Sequence, residues 1–439
     1  MRRLPDTRAI LAALEPPKLS LNGDVRLEGR LFEIGPTLLR AHLPGVKIGE
    51  LCTLPNGGLS EVVGLNGTTA MLSPYQEPSN MTCGMMVRPN GTRADVAVGP
   101  SLLGRVLDAL GRPMDGLPPM QTALRREIDV VPADPMERKT ICNVLPVGVR
   151  AIDTALTIGA GQRIGIFAPA GCGKSTLLGM LSSGCEADVI VLALVGERGR
   201  EVREFLENMM NETTRARCVV VVATSDRPAL ERVKAPAVAT TIAEYFRDQG
   251  RHVLLLVDSL TRYARAVREI ALATGEPIVG GGYPPSLYAR LPRLLERAGP
   301  AARGNITAFY TVLMEQQIDP LAEEVRSLLD GHIVLSRKLA EANHFPAIDV
   351  LASVSRVMLQ VTTEQHRRAA ARLRQLLAAW HEVELLVRVG EYQHGQDPDA
   401  DDALARRSQI EALLRQPVDE LCAFQKALML LTETVGLPC

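Results

Sequence analysis

Residues 163–181 read RIGIFAPAGCGKSTLLGML: an apolar strand, a turn holding two glycines, then an amphipathic helix. A strand delivered straight into a helix start aims backbone N–H groups at one spot, and the helix dipole makes that spot attractive to an anion. The turn Ala168-Pro169-Ala170-Gly171-Cys172-Gly173-Lys174-Ser175-Thr176 has the residue types of a phosphate-binding loop. Gly171 and Gly173 let the main chain curl round phosphate oxygens, so Ala170, Gly171, Cys172, Gly173, Lys174, Ser175 and Thr176 form the expected nucleotide-binding segment. Lys174 can reach the β- and γ-phosphates, Ser175 can place its hydroxyl on Mg²⁺, and Thr176 falls near the α-phosphate. The first glycine of the usual pattern is Ala168 here, which suits a position that does not need φ above zero. A glycine-rich turn with a surface lysine is the plain alternative, and the flanking strand and helix count against it.

The rest of the chain fits an α/β core with a domain on each side. From about Gly148 to Leu359, short continuous apolar runs alternate with helical stretches: Arg163–Phe167, Val189–Val195, Cys218–Ala223, His252–Val257 and Ile306–Leu313. Such runs predict a mainly parallel sheet covered on both faces. Residues 1–95 are glycine-rich with alternating pieces, Asp24 to Arg30 and Glu61 to Leu72, and predict a small all-β domain, for which a barrel is one form. A connector with Gly111 to Gly116 and prolines 118, 119, 132 and 135 follows, and connector and α/β domain together take 96–363. From Glu364 the pattern turns helical, with Leu373, Leu376, Leu377, Trp380, Val383 and then Leu386 or Val387 as its apolar stripe. Residues 364–439 are expected to be a helical domain, with Gly395 to Asp402 an exposed turn between its helices.

A phosphate loop only binds, and hydrolysis needs an acid for Mg²⁺ and a group to orient the attacking water. His252 to Val257 ends in Asp258, and the carboxyl end of a parallel strand is where open α/β sheets bind ligands. Asp258 is the expected Mg²⁺ partner, or else the cap of the helix that follows. Val189 to Val195 ends in Gly196-Glu197-Arg198-Gly199-Arg200-Glu201. Glu197 can act on the water, and Arg198 is placed to hold that carboxylate or sense the phosphate. The same segment also reads as a solvated ionic helix start, and spacing alone leaves the two open.

Composition narrows the function classes. The 49 Lys+Arg and 50 Asp+Glu nearly cancel, and seven Phe, seven Tyr and one Trp in 439 residues are few for a base-stacking surface, so no nucleic-acid partner is expected. The eight cysteines form no CxxC pair. The apolar stretch from Ala9 to Leu14 is short for a secretory signal, and no run is long enough to span a membrane, so a cytoplasmic protein is expected.

Five blocks in one order carry a resemblance: APAGCGKST, VGERGREVREF, LLLVDSLTRYARAVREIALATGEP, GYPPSLYARLPRLLERAG and LLDGHIVLSRKLAEANHFPAIDVLASVSRVM. Together they resemble the ATPases of type III secretion systems, injectisome and flagellar, whose larger kin are the catalytic subunits of rotary F- and V-type ATPases and, more distantly, the Rho terminator. The resemblance implies a β-barrel, a RecA-like domain and a helical domain, assembled as a homohexamer that hydrolyses ATP with Mg²⁺. By motif position Glu197 matches the catalytic glutamate and Asp258 the Walker B aspartate. Arg356 matches an arginine finger reaching the neighbouring subunit's γ-phosphate, and Phe345 matches an aromatic packed on adenine, although a core phenylalanine remains possible there. The implied partners are a central stalk protein, a stator, chaperone–effector complexes and the export gate at the inner membrane, with peripheral membrane association. Met314 to Pro320 departs from the more acidic turn usual in the family, which bears on loop contacts rather than on the reaction. The short stretch before the barrel favours the injectisome over the flagellum; a non-catalytic ring subunit and a Rho-like RNA translocase are the other readings carried forward.

Overall fold

The computed structural model describes residues 28–120, 124–208, 211–314 and 319–437. The stretch Ala9 to Leu14, most of the piece Asp24 to Arg30, and residues 315–318 of the Met314 to Pro320 block lie outside the described residues.

Six antiparallel strands close the barrel: β1 (Gly29–Ile34), β2 (Leu39–His42), β3 (Glu50–Thr53), β4 (Leu59–Asn66), β5 (Thr69–Pro74) and β6 (Met86–Arg93), in the order β1-β2-β5-β4-β3-β6. Alternate residues point inward, so Leu31, Leu39, Ala41, Val62, Leu72 and Val87 fill the interior. Closure leaves no strand edge to pair with another chain.

After a two-stranded ribbon of β7 (Asp95–Val98) and β9 (Leu124–Glu127), the chain builds one large sheet. Its strands are β8 (Val106–Asp108), β10 (Arg163–Ala168), β11 (Val189–Val195), β12 (Cys218–Ala223), β13 (His252–Asp258), β14 (Gly299–Pro300), β15 (Asn305–Leu313), β16 (Gly331–Leu335) and β17 (Ile348–Ser355). They run β17-β16-β10-β15-β13-β11-β12-β8, with β14 beside β15. All pairs are parallel except β16 with β17 and β14 with β15. Every residue of β11 and of β12 is buried, which is why these runs read as unbroken apolar stretches. The edge strand β8 comes from the connector, so the connector contributes to the sheet as well as to irregular chain.

Parallel pairing puts the carboxyl ends of β10, β11 and β13 on one edge, where Pro169, Gly196 and Ser259 begin the following segments. The antiparallel β17 runs back, so its last residue, Ser355, pairs with Gly331 at the start of β16, at the opposite edge.

The barrel is joined to the sheet layer by a buried lysine. Lys234, on the helix Ala229–Asp248, lies 2.7 Å from Glu61 of β4 and 2.5 Å from Asp129. Tyr75, fully buried, donates to the same Glu61 carboxylate at 3.1 Å. Burial draws the Lys234 ammonium down, and Glu61 and then Asp129 more than offset it, leaving its pKa above the ordinary value.

Helices Glu364–Val389, Pro398–Leu414 and Phe424–Val435 complete the chain. Thr363 caps the first by accepting the His366 N–H, and Gly390 ends it at φ +78°. Its buried stripe includes Leu373, Leu376 and Val383; it continues through half-buried Val387, while Leu386 is exposed. Trp380 sits under the Arg407 guanidinium, 4.2 Å from ring centroid to Cζ. The expected exposed turn from Gly395 to Asp402 is corrected: helix begins at Pro398, capped by Asp397, whose carboxylate accepts the Asp399 and Ala400 N–H groups. Acids in a first helical turn complement the dipole, which turns a run that reads as loop into a helix start. Among the described residues no helix is long and apolar enough to cross a membrane.

Candidate active site

The phosphate loop begins where β10 ends. Ala168 is buried in the strand, and its carbonyl accepts the Met314 N–H at 3.0 Å, so the position needs no left-handed backbone. Gly171 and Gly173 each take φ +80°, a conformation that a β-carbon disfavours. Gly173 caps the helix Lys174–Gly184 without a side-chain bond, leaving first-turn N–H groups for a ligand. Leu177, Leu178 and Leu181 anchor that helix in the core. Ala170, Gly171 and Ser175 are exposed, Thr176 is half-buried, and Cys172 is buried, so Cys172 can offer a ligand only its backbone.

Lys174, Glu197 and Asp258 meet beneath the loop. The Lys174 Nζ is 2.5 Å from Asp258 Oδ1 and 3.3 Å from Glu197 Oε1, and the three side chains are 12%, 3% and 10% exposed respectively. Thr311, on β15, donates to Asp258 Oδ1 at 2.6 Å. Capping of the next helix falls to Ser259, which accepts the Arg262 N–H, so Asp258 is left to the site. Glu197 is buried rather than a solvated helix start, because the helix begins at Gly199 and the glutamate lies at the strand end. Burial raises the Glu197 pKa, against the pull of Lys174 and Arg262. Burial lowers that of Lys174, but Asp258 and Glu197 outweigh it and raise the ammonium above its usual range. A carboxyl with raised proton affinity beside a firmly charged ammonium is a suitable pair for accepting a proton next to an anion.

The guanidinium on Glu197 is not that of Arg198. Arg198 is 77% exposed and faces Glu201 at 3.4 Å, because the first turn of the helix Gly199–Asn208 carries it outward. Arg262 takes the carboxylate-holding place: Nη2 is 3.2 Å from Glu197 Oε2, and Nη1 donates to the Gly196 carbonyl at 2.5 Å. Gly196, at φ +67°, makes room for it, since a β-carbon there would come within 2.8 Å of Arg262 Cδ. Sequence reading missed both Arg262 and Thr311. The glycine before Glu197 was the only local hint of a side chain crossing from the helix Leu260–Thr274 that follows the neighbouring strand.

Phe345 lies against the phosphate loop, its ring carbons 3.2 and 3.3 Å from where a β-carbon of Gly173 would be. It is half-buried, which leaves a ring surface open beside the loop and sets it apart from a core phenylalanine. Arg356 is not brought into this cluster. It is exposed, its N–H donates to the Asp330 carbonyl at 3.0 Å, and Asp330 in turn holds Arg163 at the amino end of β10. The length of β10, roughly 17 Å of strand, separates it from the chain's own phosphate loop.

The exposed Ser175 hydroxyl and the Asp258 carboxylate are hard oxygen donors of the kind Mg²⁺ takes. No group of three or more His, Cys, Asp or Glu able to hold a metal exists among the described residues, so phosphate oxygens and water would complete such a shell.

Comparison with known proteins agrees with this geometry. Residues 148–355 match the ATP synthase alpha/beta family, nucleotide-binding domain, and residues 362–433 match the T3SS EscN ATPase C-terminal domain. The chain is 55% identical to the SPI-2 type 3 secretion system ATPase of Salmonella typhimurium over 92% of its own length and 95% of that protein's. It is 46% identical to the flagellum-specific ATP synthase of Bacillus subtilis, over 93% of this chain and 95% of that one. The solved structure of the assembled ATPase EscN of the enteropathogenic E. coli type III secretion system is 51% identical and superimposes with a TM-score of 0.90, covering 93% of this chain and 100% of that chain. A phosphate loop facing a buried glutamate and aspartate, on a fold shared from barrel to C-terminal helices with these relatives, makes the chain a nucleotide-binding ATP hydrolase that belongs to the type 3 secretion system ATPase family.

Proposed function

We propose that this chain hydrolyses ATP at sites shared between subunits of a homohexameric ring and uses the reaction to release chaperones, unfold substrates and drive their export through an injectisome. The observation that carries the shared-site reading is the position of Arg356. Held at the amino end of β10 through Asp330, an exposed guanidinium serves no phosphate on its own loop and is free to serve a neighbour's. The relative EscN has been solved both as an assembled ATPase and in complex with its central stalk EscO, which supports a ring with a stalk here.

In this reading, Gly171, Gly173 and the first-turn N–H groups hold the phosphates, Lys174 turns from Asp258 and Glu197 to the γ-phosphate, and Phe345 packs on the adenine. Ser175 and Asp258 would hold Mg²⁺, which would supply charge neutralisation at the phosphates. Glu197 accepts the proton of the attacking water as the water oxygen bonds to the γ-phosphorus. The bond to the β–γ bridging oxygen breaks, leaving ADP and phosphate. Arg262 keeps the Glu197 carboxylate aimed, Arg198 stays at the solvent edge, and Arg356 of the adjacent subunit offsets charge building on the transferring group. The stator, the chaperone–effector complexes and the export gate at the inner membrane are the further partners of this reading, which places the enzyme in the cytoplasm beside that membrane.

The test is ATP hydrolysis by the purified protein over a wide concentration range, with Arg356→Ala alongside. Specific activity that climbs with concentration, and an Arg356→Ala variant that binds ATP without turnover, are expected. Turnover by Arg356→Ala equal to that of the unaltered protein overturns the shared site.

A further inference from the structure

The finger reading leaves open what holds Arg356 in place, since its own side chain pairs with nothing among the described residues. The answer lies one residue back, at Ser355, and two strands over, at the residue before β10. Gln162, the residue before β10, is fully buried. Its amide oxygen accepts the Gly159 N–H at 3.0 Å. Its amide nitrogen donates twice, to the Asp330 carbonyl at 3.1 Å and to the Ser355 hydroxyl at 3.1 Å. The Asp330 carbonyl is the same atom that accepts the Arg356 N–H, and Ser355 is the residue immediately before Arg356. Ser355 passes the chain of bonds on by donating to the Thr157 carbonyl at 2.8 Å. Gln162 is itself fixed by its backbone, donating to Gly159 O and accepting from Ala308 N, both at 3.0 Å.

A buried amide with one N–H bond on the residue before the arginine and the other on the carbonyl that accepts the arginine's own N–H is a placement device, because an unsatisfied buried donor is costly and the segment cannot shift without creating one. We propose that Gln162, acting through Ser355 and the Asp330 carbonyl, is the positioning residue for Arg356, setting where the finger enters the neighbouring subunit's site. This rests on the reading of Arg356 as a finger that acts in trans. Gln162 sits at the far end of β10 from the phosphate loop, so it governs the next subunit's chemistry while leaving its own subunit's nucleotide binding alone.

The experiment uses the full chain. Gln162→Met keeps side-chain length and removes all three bonds; Ser355→Ala removes one hydroxyl from the same chain of bonds. For Gln162→Met, kcat is expected to fall about 100-fold, the loss typical of a ~1 Å misplacement, with KM for ATP changed by less than about twofold. Ser355→Ala is expected to lose about 30-fold in kcat, the equivalent of the two ordinary hydrogen bonds its hydroxyl makes. Subunit mixing separates placement from general damage. A Lys174→Ala subunit has a dead site of its own and an intact finger, so mixing it with Arg356→Ala, and separately with Gln162→Met, is expected to restore turnover in both. Mixing Arg356→Ala with Gln162→Met is expected to restore almost none, since neither offers a well-placed finger. If Lys174→Ala rescues neither variant, the trans reading of Arg356 falls. If it rescues Arg356→Ala but not Gln162→Met, or if Gln162→Met raises KM with kcat unchanged, the positioning role falls alone. Should Gln162→Met give no assembled protein, Ser355→Ala carries the same arms.

Discussion

Replacing Lys234 by methionine tests the joint between barrel and sheet layer. The side chain is 6% exposed and Glu61 is 8% exposed, so Lys234→Met strands a carboxylate out of water with only the Tyr75 hydroxyl as partner among the described residues. Removing one member of a buried pair costs about 3–5 kcal/mol, chiefly because the remaining charge is left uncompensated. Asp129, 48% exposed, adds little, because water screens it. A chain with several folded parts does not unfold in one step, so a global midpoint is the wrong readout. Native-state hydrogen exchange is the right one: amides of β4 and β5 should exchange faster by about 100-fold or more, since each 1.4 kcal/mol is about tenfold, while those of β11 and β13 stay protected. Adding Glu61→Gln to Lys234→Met removes the stranded charge and should return most of the protection. Exchange in Lys234→Met within about threefold of the unaltered protein, or no recovery in the double variant, refutes the argument from uncompensated charge.

Three further outcomes are expected. Thr311→Val deletes the 2.6 Å hydrogen bond to Asp258, and bonds to charged groups are worth about 1.5–3 kcal/mol, so the Mg²⁺ concentration for half-maximal activity should rise about tenfold or more in a titration at fixed ATP. Phe345→Ala should raise KM for ATP about tenfold with kcat little changed, as loss of uniform binding does, and Phe345→Tyr should restore it. The Asp153 carboxyl is pushed up to about 7 by burial, against two N–H bonds from Val147 and Gly148. Between pH of about 4 and 7 the folded chain therefore holds a proton that the unfolded chain has released, so stability falls as pH rises through that window. Glu231, also raised to about 7 by burial, acts with the same sign, so Asp153→Asn should flatten part of the loss of native-state exchange protection in the sheet domain between pH 5 and 8, after correction for the intrinsic exchange rate, and leave the rest.

The elements that sequence discloses here are those dictated by local chemistry. The unbroken apolar runs of β11, β12 and β13 could only be buried strands, and glycines 171 and 173 before Lys174 could only be a special turn, so the site's floor was legible. Its lateral contacts were not. Arg262 stands 65 positions beyond the glutamate it holds, and Thr311 stands 53 beyond the aspartate it touches. No periodicity links such pairs, because the parallel crossovers that bring them together are set by the sheet order. Arg198 was drawn to Glu197 by adjacency, yet neighbouring residues at a helix start point in different directions. The acid-rich stretch at Asp397 to Asp402 misled for the opposite reason: polarity suggested a loop, while position made Asp397 the cap and put Asp399 and Asp401 in the first turn.

β10 has the phosphate loop at one end and the residues that seat Arg356 at the other. In genetic terms, this makes the strand a site of dominance. On the proposed shared site, a lesion in the loop would silence the subunit's own site and a lesion at Arg356 the next one, while a lesion that loosens β10 itself would touch two sites with one altered copy. In a cell carrying equal amounts of altered and unaltered chains assembled at random, roughly a quarter of the sites rather than a half would then escape, because each needs a sound strand on both sides of the interface. Alleles mapping to β10 should therefore suppress secretion when co-expressed with the intact gene, more strongly than alleles confined to either end.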